Sequence, residues 1–114
     1  MEKIKFTDKG NYVIMHLEGS VVFFDKDLSE LRAKVKEIAE AGKHLLIDFI
    51  YAEYIDSFFQ GFLIYANSLM LKQGKKLVLY NYNHYIRDTF RITKIDSILM
   101  LVNDNLEALK AIGE

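Results

Sequence analysis

Two aspartates and a serine occupy the part of this chain where polar chemistry is most readily placed. An apolar run ends in Asp48, and Asp56-Ser57 follows eight residues later, directly before a segment with helical periodicity. The N-terminus of a helix carries unpaired N–H groups and a partial positive charge, both of which favour an anionic group. We therefore predict that this helix start holds a phosphate or contacts a partner.

Ser57 supports two interpretations. Ser57 and Gln60 fit the S-x-x-Q pattern of a capping box, in which a hydroxyl and an amide satisfy N–H groups at the helix start. The alternative is a regulatory hydroxyl, because a phosphate at a helix N-terminus is favoured electrostatically. We predict capping as the main role of Ser57 and keep its phosphorylation as the alternative.

The residue pattern does not favour an enzyme or a metal protein. Asp48 and Asp56 are conceivable as an acid and a base, but no nucleophile with an adjacent base stands beside them. The glycine-rich nucleotide motifs and the GxSxG and HExxH patterns are absent. The three histidines, His16, His44 and His84, lie in different elements, and none has a second ligand at metal-site spacing. We predict a non-enzymatic protein without a cofactor.

Composition sets the broad class of the protein. With 114 residues, 51% of them hydrophobic and 27% charged, we predict a single globular domain over residues 1–114. The net charge of −1 gives no general attraction to nucleic acid or to anionic lipid. The chain has no cysteine, no signal-peptide pattern at its start and no apolar run of membrane-spanning length. We expect a cytoplasmic protein without membrane insertion.

Strand and helix patterns alternate along the chain in the order β-β-α-β-α-β-α-β-α. The predicted strands are Lys3–Thr7, Tyr12–Glu18, His44–Phe49, Lys76–Tyr80 and Ile98–Val102. The predicted helices follow Asp25 or Asp27, run over Ser57–Gln73 and Asn83–Ile92, and follow Asn103 or Asp104. Gly19 is expected to interrupt the chain after the second strand, and the segment between Phe49 and Asp56 is expected to be a loop.

This order predicts an α/β fold with a mixed, mainly parallel sheet of four to five strands flanked by helices. The first two strands form an antiparallel hairpin at one side. His44–Phe49 and Lys76–Tyr80 are apolar at nearly every position, which is typical of strands covered on both faces. We therefore expect them to be neighbouring interior strands.

Helical spacing predicts which side chains point inward. In the helix after Ser57 the inward stripe consists of Phe59, Phe62, Leu63, Ala66, Leu69 and Met70. Phe58 lies about 100° from Phe59 around the helix, so we predict that Phe58 faces outward as a binding anchor. In the closing helix the inward residues are predicted to be Leu106, Leu109 and Ile112.

Three tyrosines are concentrated near the end of the fourth strand, at positions 80, 82 and 85. Tyrosine is common in recognition surfaces, and it is also an ordinary half-buried residue of loops. We favour the second interpretation for the run as a whole and keep Tyr85 as a candidate contact.

The whole pattern resembles the STAS domain family, from about Asn11 to Ile112. Its strand-ending L-x-G resembles Leu17-Glu18-Gly19, and its strand aspartate and D-S-S-G helix start resemble Leu46-Ile47-Asp48 and Asp56-Ser57. The helix stop, fourth strand and short helix resemble Gln73-Gly74-Lys75-Lys76-Leu77 and Tyr85-Ile86-Arg87 to Ile92-Thr93.

The resemblance implies a bacterial, stand-alone anti-sigma factor antagonist. Such proteins bind an anti-sigma factor of the histidine-kinase-like ATPase type and so release a sigma factor, and phosphorylation of a D-S-S-G serine ends the binding. Here Phe58 fills the usual phosphoacceptor position and Phe59 the first glycine position, while Gly61 matches the second glycine. The usual acidic residue after L-x-G is Val22, with Asp25 farther on.

The partner-binding residues that we predict on this basis are Asp25, Asp56, Ser57, Phe58, Gly61 and Tyr85. We expect the protein to work without the usual serine phosphorylation switch, because Phe58 has no hydroxyl. The alternative function is a STAS-fold scaffold or adaptor. It would self-associate, or bind a small apolar ligand or a transporter partner.

Overall fold

The computed structural model describes residues 3–21 and 25–114, and the side chains of these residues except Asp25 and Lys26. The strands are β1 (Ile4–Asp8), β2 (Tyr12–Val21), β3 (His44–Ile55), β4 (Leu77–Tyr80) and β5 (Met100–Leu101). The helices are α1 (Asp25–Glu40), α2 (Ser57–Lys72), α3 (His84–Ile92) and α4 (Asn105–Ala111), with a 3-10 helix over Ile95–Ser97. The element order is the predicted one.

The five strands form one sheet in the order β1-β2-β3-β4-β5. β1 runs antiparallel to β2, and every other neighbouring pair is parallel. The predicted fold class and the opening hairpin are confirmed. β3 and β4 are interior neighbours, also as predicted. Leu45 and Ile47 are buried in the core on one face of the sheet, and Leu46 is buried in the core on the other.

Helices cover the two faces of the sheet unequally. Buried residues of α1, α2 and α3 pack with Leu45, Ile47 and Phe49 in the larger core. The smaller core lies on the other face of the sheet. There Ala108 and Ile112, in and directly after α4, pack with strand residues such as Leu46. No helix in the described part of the chain is long and apolar enough to cross a bilayer.

The strands β2 and β3 are longer than their sequence patterns indicate. β2 continues through Gly19, whose φ of 70° lies in the left-handed region, and β3 continues to Ile55. The predicted interruption at Gly19 and the predicted loop after Phe49 are therefore wrong. The physical reason is two register shifts, between His16 and Glu18 and between Gly19 and Ser20, which place extra β3 residues opposite β2. These bulges remove the alternation that identifies a strand.

The end of the chain departs from the sequence pattern in two places. β5 is reduced to two residues, because the 3-10 helix occupies the preceding segment. Leu106 was expected to point inward but is 61% exposed. The buried residue of α4 is Ala108, and two residues correspond to about 200° around a helix, so Leu106 lies on the far side.

Candidate functional site

Asp56 caps the start of α2. Its backbone is extended, with φ −92° and ψ 177°, and its carboxylate oxygen Oδ1 accepts the N–H of Phe59 at 2.8 Å. Ser57 is the first helical residue, so the predicted capping by Ser57 is wrong by one position. The amide of Gln60 donates to the backbone oxygen of Asp56 at 3.4 Å. Aspartate and serine are similarly good caps, so residue type alone does not decide between these neighbours.

Phe58 and Phe59 face opposite environments. Phe59 is fully buried, with its ring edge-on to Phe49 at a centroid distance of 6.4 Å and tilted against Phe62 at 5.4 Å. Phe58 is 59% exposed. The outward direction predicted for Phe58 from helical spacing is thus observed. Its role as a binding anchor remains a prediction.

Gly61 lies one turn after Ser57 on the exposed surface of α2. A Cβ atom added at Gly61 would meet no atom within 4 Å, and its φ is not in the left-handed region. A glycine inside a helix costs about 1 kcal/mol relative to alanine. Neither packing nor backbone conformation within the chain explains why this position is a glycine.

Exposed apolar side chains are concentrated at the end of β3. Ile50 is 55% exposed, Tyr51 72% and Tyr54 54%. They lie in the part of β3 that extends past the end of β4, a region that we name the carboxyl edge. Sequence reasoning missed Ile50 and Tyr51, because it placed them in a loop rather than in a bulged strand that directs them outward.

Asn83 attaches the start of α3 to the end of β3. Its side-chain oxygen accepts the N–H of Ile86 at 2.9 Å and so caps α3. Its amide nitrogen donates to the backbone oxygens of Ala52 at 3.1 Å and of Glu53 at 3.2 Å. Tyr85, which is 75% exposed, is thereby placed at the carboxyl edge. An asparagine directly before a helical pattern is the sequence signal for this cap.

Asp48 has a structural role that is separate from that of Asp56. Its Oδ1 accepts the N–H of Ile50 at 3.0 Å and the side-chain amide of Asn81 at 3.1 Å. Its Oδ2 lies 3.7 Å from Nδ1 of His16, whose Nε2 is 3.1 Å from the hydroxyl of Thr7. This row of polar side chains crosses the sheet from β1 to the end of β4. Asp48 therefore bonds to the backbone and to neighbouring side chains rather than to Asp56.

The other tyrosines of the run differ from Tyr85. Tyr80 is buried, its hydroxyl accepts the side-chain amide of Asn105 at 3.1 Å, and burial raises its pKa. Tyr82 is half-buried, with its ring edge-on to Phe90 at 5.9 Å, and burial also raises its pKa. These two are structural residues, as the favoured interpretation of the run expected.

One candidate residue cannot be placed. α1 begins at Asp25, but the Asp25 side chain lies outside the described part of the structure, as does Val22. Asp25 is the first residue of α1 and Asp27 is the third, so neither precedes the helix, and the predicted cap at Asp25 or Asp27 is wrong. The contribution of Asp25 to partner binding remains a prediction.

Comparison with known proteins places the sequence in a family. Residues 3–109 match the STAS domain. No curated protein matches the chain in sequence.

Several solved structures share the fold. An anti-sigma-factor antagonist (STAS) domain protein from Planctomyces limnophilus is 15% identical, with a TM-score of 0.78 over 97% of this chain and 98% of that one. RsbS of Moorella thermoacetica, with a serine-to-glutamate substitution, is 18% identical, with a TM-score of 0.76 over 96% and 94%. The Bacillus cell fate determinant SpoIIAA in its phosphorylated form is 15% identical, with a TM-score of 0.73 over 96% and 98%.

Identities this low show a common fold and no more. The sequence match carries the classification, because it extends over nearly the whole length and coincides with the observed sheet and helices. The chain therefore belongs to the STAS domain family.

Proposed function

We propose that this protein is an anti-sigma factor antagonist, a binding module without enzymatic activity that sequesters an anti-sigma factor and so releases a sigma factor. Family membership and structural likeness to proteins of this function support the proposal. The proposed partner is an anti-sigma factor of the histidine-kinase-like ATPase type, and the proposed setting is the bacterial cytoplasm.

The observation that carries the proposal is the exposure of Phe58 on the first turn of α2. A phenylalanine that is 59% exposed contributes little to the core, whereas Phe59 beside it is fully buried. Large aromatic side chains that anchor an interface are covered only when the partner binds. We assign Phe58 this anchoring role.

The surroundings of Phe58 suit the approach of another protein. Gly61 leaves open space one turn later, so a partner backbone can come close to α2 there. Tyr54 and Tyr85, which are 54% and 75% exposed, add two further rings at the carboxyl edge. With Asp56 fixing the helix start, and Ser57 exposed beside it, these residues form the proposed partner-binding face. Asp25 is proposed as a further member of this face.

We further propose that binding is not controlled by serine phosphorylation. SpoIIAA is known in a phosphorylated form, and the RsbS structure carries glutamate in place of a serine. In the present chain Phe58 stands at the usual acceptor position. The neighbouring hydroxyl, Ser57, is displaced by about 100° around the helix. A kinase active site aligned with position 58 therefore finds no nucleophile.

Affinity purification from the native host tests the proposal. Wild-type protein should recover a histidine-kinase-like ATPase, and Phe58→Ala should lose it. Leu71→Ala is the matched control, because Leu71 is 64% exposed on the last turn of the same helix. Equal recovery by Phe58→Ala and Leu71→Ala, or recovery of no ATPase by the wild type, contradicts the proposal.

A second candidate function is a scaffold or adaptor of the same fold. Ile50 and Tyr51 favour it, because they add exposed apolar surface on β3 to that of Phe58 on α2. Such a surface suits self-association, a small apolar ligand or a transporter partner. Recovery of the protein itself or of transport proteins, together with a dimer in sedimentation equilibrium that Tyr51→Ser abolishes, would select this function.

A further inference from the structure

A second surface feature lies beyond the carboxyl ends of β4 and β5. It is a cavity of about 200 Å³ lined by Tyr82, Asn83, His84, Arg87 and Asn103. Two chain segments form it, and the backbone N–H of Asn81 joins them by donating to the carbonyl of Asn103 at 3.3 Å. In open α/β sheets, ligands bind in crevices at this end of the strands.

Arg87 gives the cavity an available positive charge. Within the described residues its guanidinium takes part in no ion pair. The nearby carboxylate of Asp88 is occupied, since it pairs with Arg91 at 2.8 Å and with His84 at 3.4 Å. Arginine has five N–H donors in a planar fork that matches two oxygens of a carboxylate or phosphate.

The Tyr82 hydroxyl and the Asn103 amide add donors to the cavity lining, and Glu107 outside the lining adds an opposing charge. The positive charge of Arg87 acts on the Tyr82 hydroxyl, where it works against the rise in pKa that burial causes. The side-chain amide of Asn103 has only a long contact, 3.5 Å, with the carboxylate of Glu107. Glu107 is therefore an acidic group close to the cavity, and Arg87 opposes its effect on the Tyr82 hydroxyl. The Asn83 amide donates to two carbonyls of β3 and so holds this side of the cavity in place.

We propose that this cavity binds a small oxyanion, with Arg87 as the charged ligand and the Tyr82 hydroxyl and Asn103 amide as neutral donors. The volume is below the roughly 300–1,000 Å³ of pockets for drug-sized ligands, so it suits one phosphate or carboxylate group. That group belongs either to a small molecule or to an acidic side chain of a protein partner. The inference does not depend on the anti-sigma function.

Titration with inorganic phosphate, followed by amide chemical shifts in an assigned two-dimensional spectrum, tests this inference. We expect saturable shifts at residues 82–87 and 103. Arg87→Gln should weaken phosphate binding at least about tenfold, because a charge-assisted hydrogen bond contributes about 1.5–3 kcal/mol. Arg32→Gln makes the same change of net charge on α1, where Arg32 lies over the Tyr65 ring at 5.5 Å, and should bind phosphate like wild type.

Separate experiments test whether the variants are folded and which kind of oxyanion the cavity prefers. Arg87→Lys keeps the charge and should retain part of the affinity, while matching spectra and thermal melts of the variants establish that they are folded. Titration with acetate distinguishes the sources: phosphate binding much tighter than acetate binding indicates a phosphorylated small molecule, and comparable binding indicates a carboxylate. Unsaturable shifts scattered over the surface, or equal affinity of Arg87→Gln and wild type, overturn the proposal.

Discussion

Truncation of the two adjacent phenylalanines at the start of α2 separates recognition from packing. Phe58 is 59% exposed, so roughly two-fifths of its surface is covered within the chain. Full burial of a phenylalanine contributes about 1.5–3 kcal/mol, and Phe58→Ala should therefore forfeit roughly 0.6–1.2 kcal/mol. The higher helix propensity of alanine returns about 0.5 kcal/mol. We expect a net loss of unfolding free energy below about 1 kcal/mol.

Phe59→Ala is the matched comparison at the next position. Phe59 is fully buried and contacts the rings of Phe49 and Phe62, so its truncation leaves a cavity in the larger core. Such truncations cost about 3–5 kcal/mol. For a chain of this size the midpoint should fall by roughly 10–25 °C in Phe59→Ala and by less than about 6 °C in Phe58→Ala.

Binding should follow the opposite order. Loss of an interface anchor costs about 2 kcal/mol or more, which corresponds to at least a roughly 30-fold weaker complex for Phe58→Ala. Folded Phe59→Ala should keep most of its affinity at low temperature. Thermal melts and calorimetric titration with the purified anti-sigma factor measure both quantities. If Phe58→Ala melts early and still binds with wild-type affinity, Phe58 is a core residue and the assigned anchor is wrong.

Three further predictions concern the helix start and one histidine. Asp56→Ala should lower the unfolding free energy by about 0.5–2 kcal/mol and Ser57→Ala by less than about 0.5 kcal/mol in urea titrations; the reverse order would make Ser57 the cap. Incubation with the cognate anti-sigma kinase and ATP should leave Ser57 essentially unmodified by mass spectrometry, and stoichiometric phosphoserine there refutes the proposed absence of a switch. The pKa of His44 is lowered from 6.5 by burial and by Lys75 and Lys76, and its Nδ1 accepts the N–H of Lys76 at 3.0 Å. As the pH falls, His44 therefore becomes protonated in the unfolded chain before it does so in the folded protein. The unfolding free energy of the wild type should decrease below about pH 6.5, and it should decrease by more than that of His44→Asn. Equal decreases in the two proteins would contradict this prediction.

The regular parts of the fold could be predicted from the sequence because each has a simple period. The continuous apolar run in His44–Phe49 indicated an interior strand, and helical spacing indicated that Phe59 is buried and Phe58 exposed. Both follow from local geometry, which one segment of sequence determines by itself.

The carboxyl edge could not be predicted in the same way. Tyr51 and Tyr54 belong to β3 only because β2 pairs with them across two register shifts, and pairing between distant segments leaves no local period. The predicted cap of α2 was wrong by one position, since Asp56 and Ser57 are both residue types that suit a cap. Asn83 was predicted to begin a helix, but its contact with β3 depends on how two distant segments pack.

The double hydrogen bond from the Asn83 amide has a consequence for unwanted assembly. β4 ends at Tyr80, opposite Asp48, so β3 continues past its neighbour as far as Ile55. An unpaired strand edge is a template for added strands from other chains, which leads to aggregation. In this overhanging part of β3 the Asn83 amide occupies the carbonyls of Ala52 and Glu53, so that fewer acceptors remain for another strand. We therefore expect replacement of Asn83 to make strand addition by other molecules easier at the part of β3 beyond the end of β4.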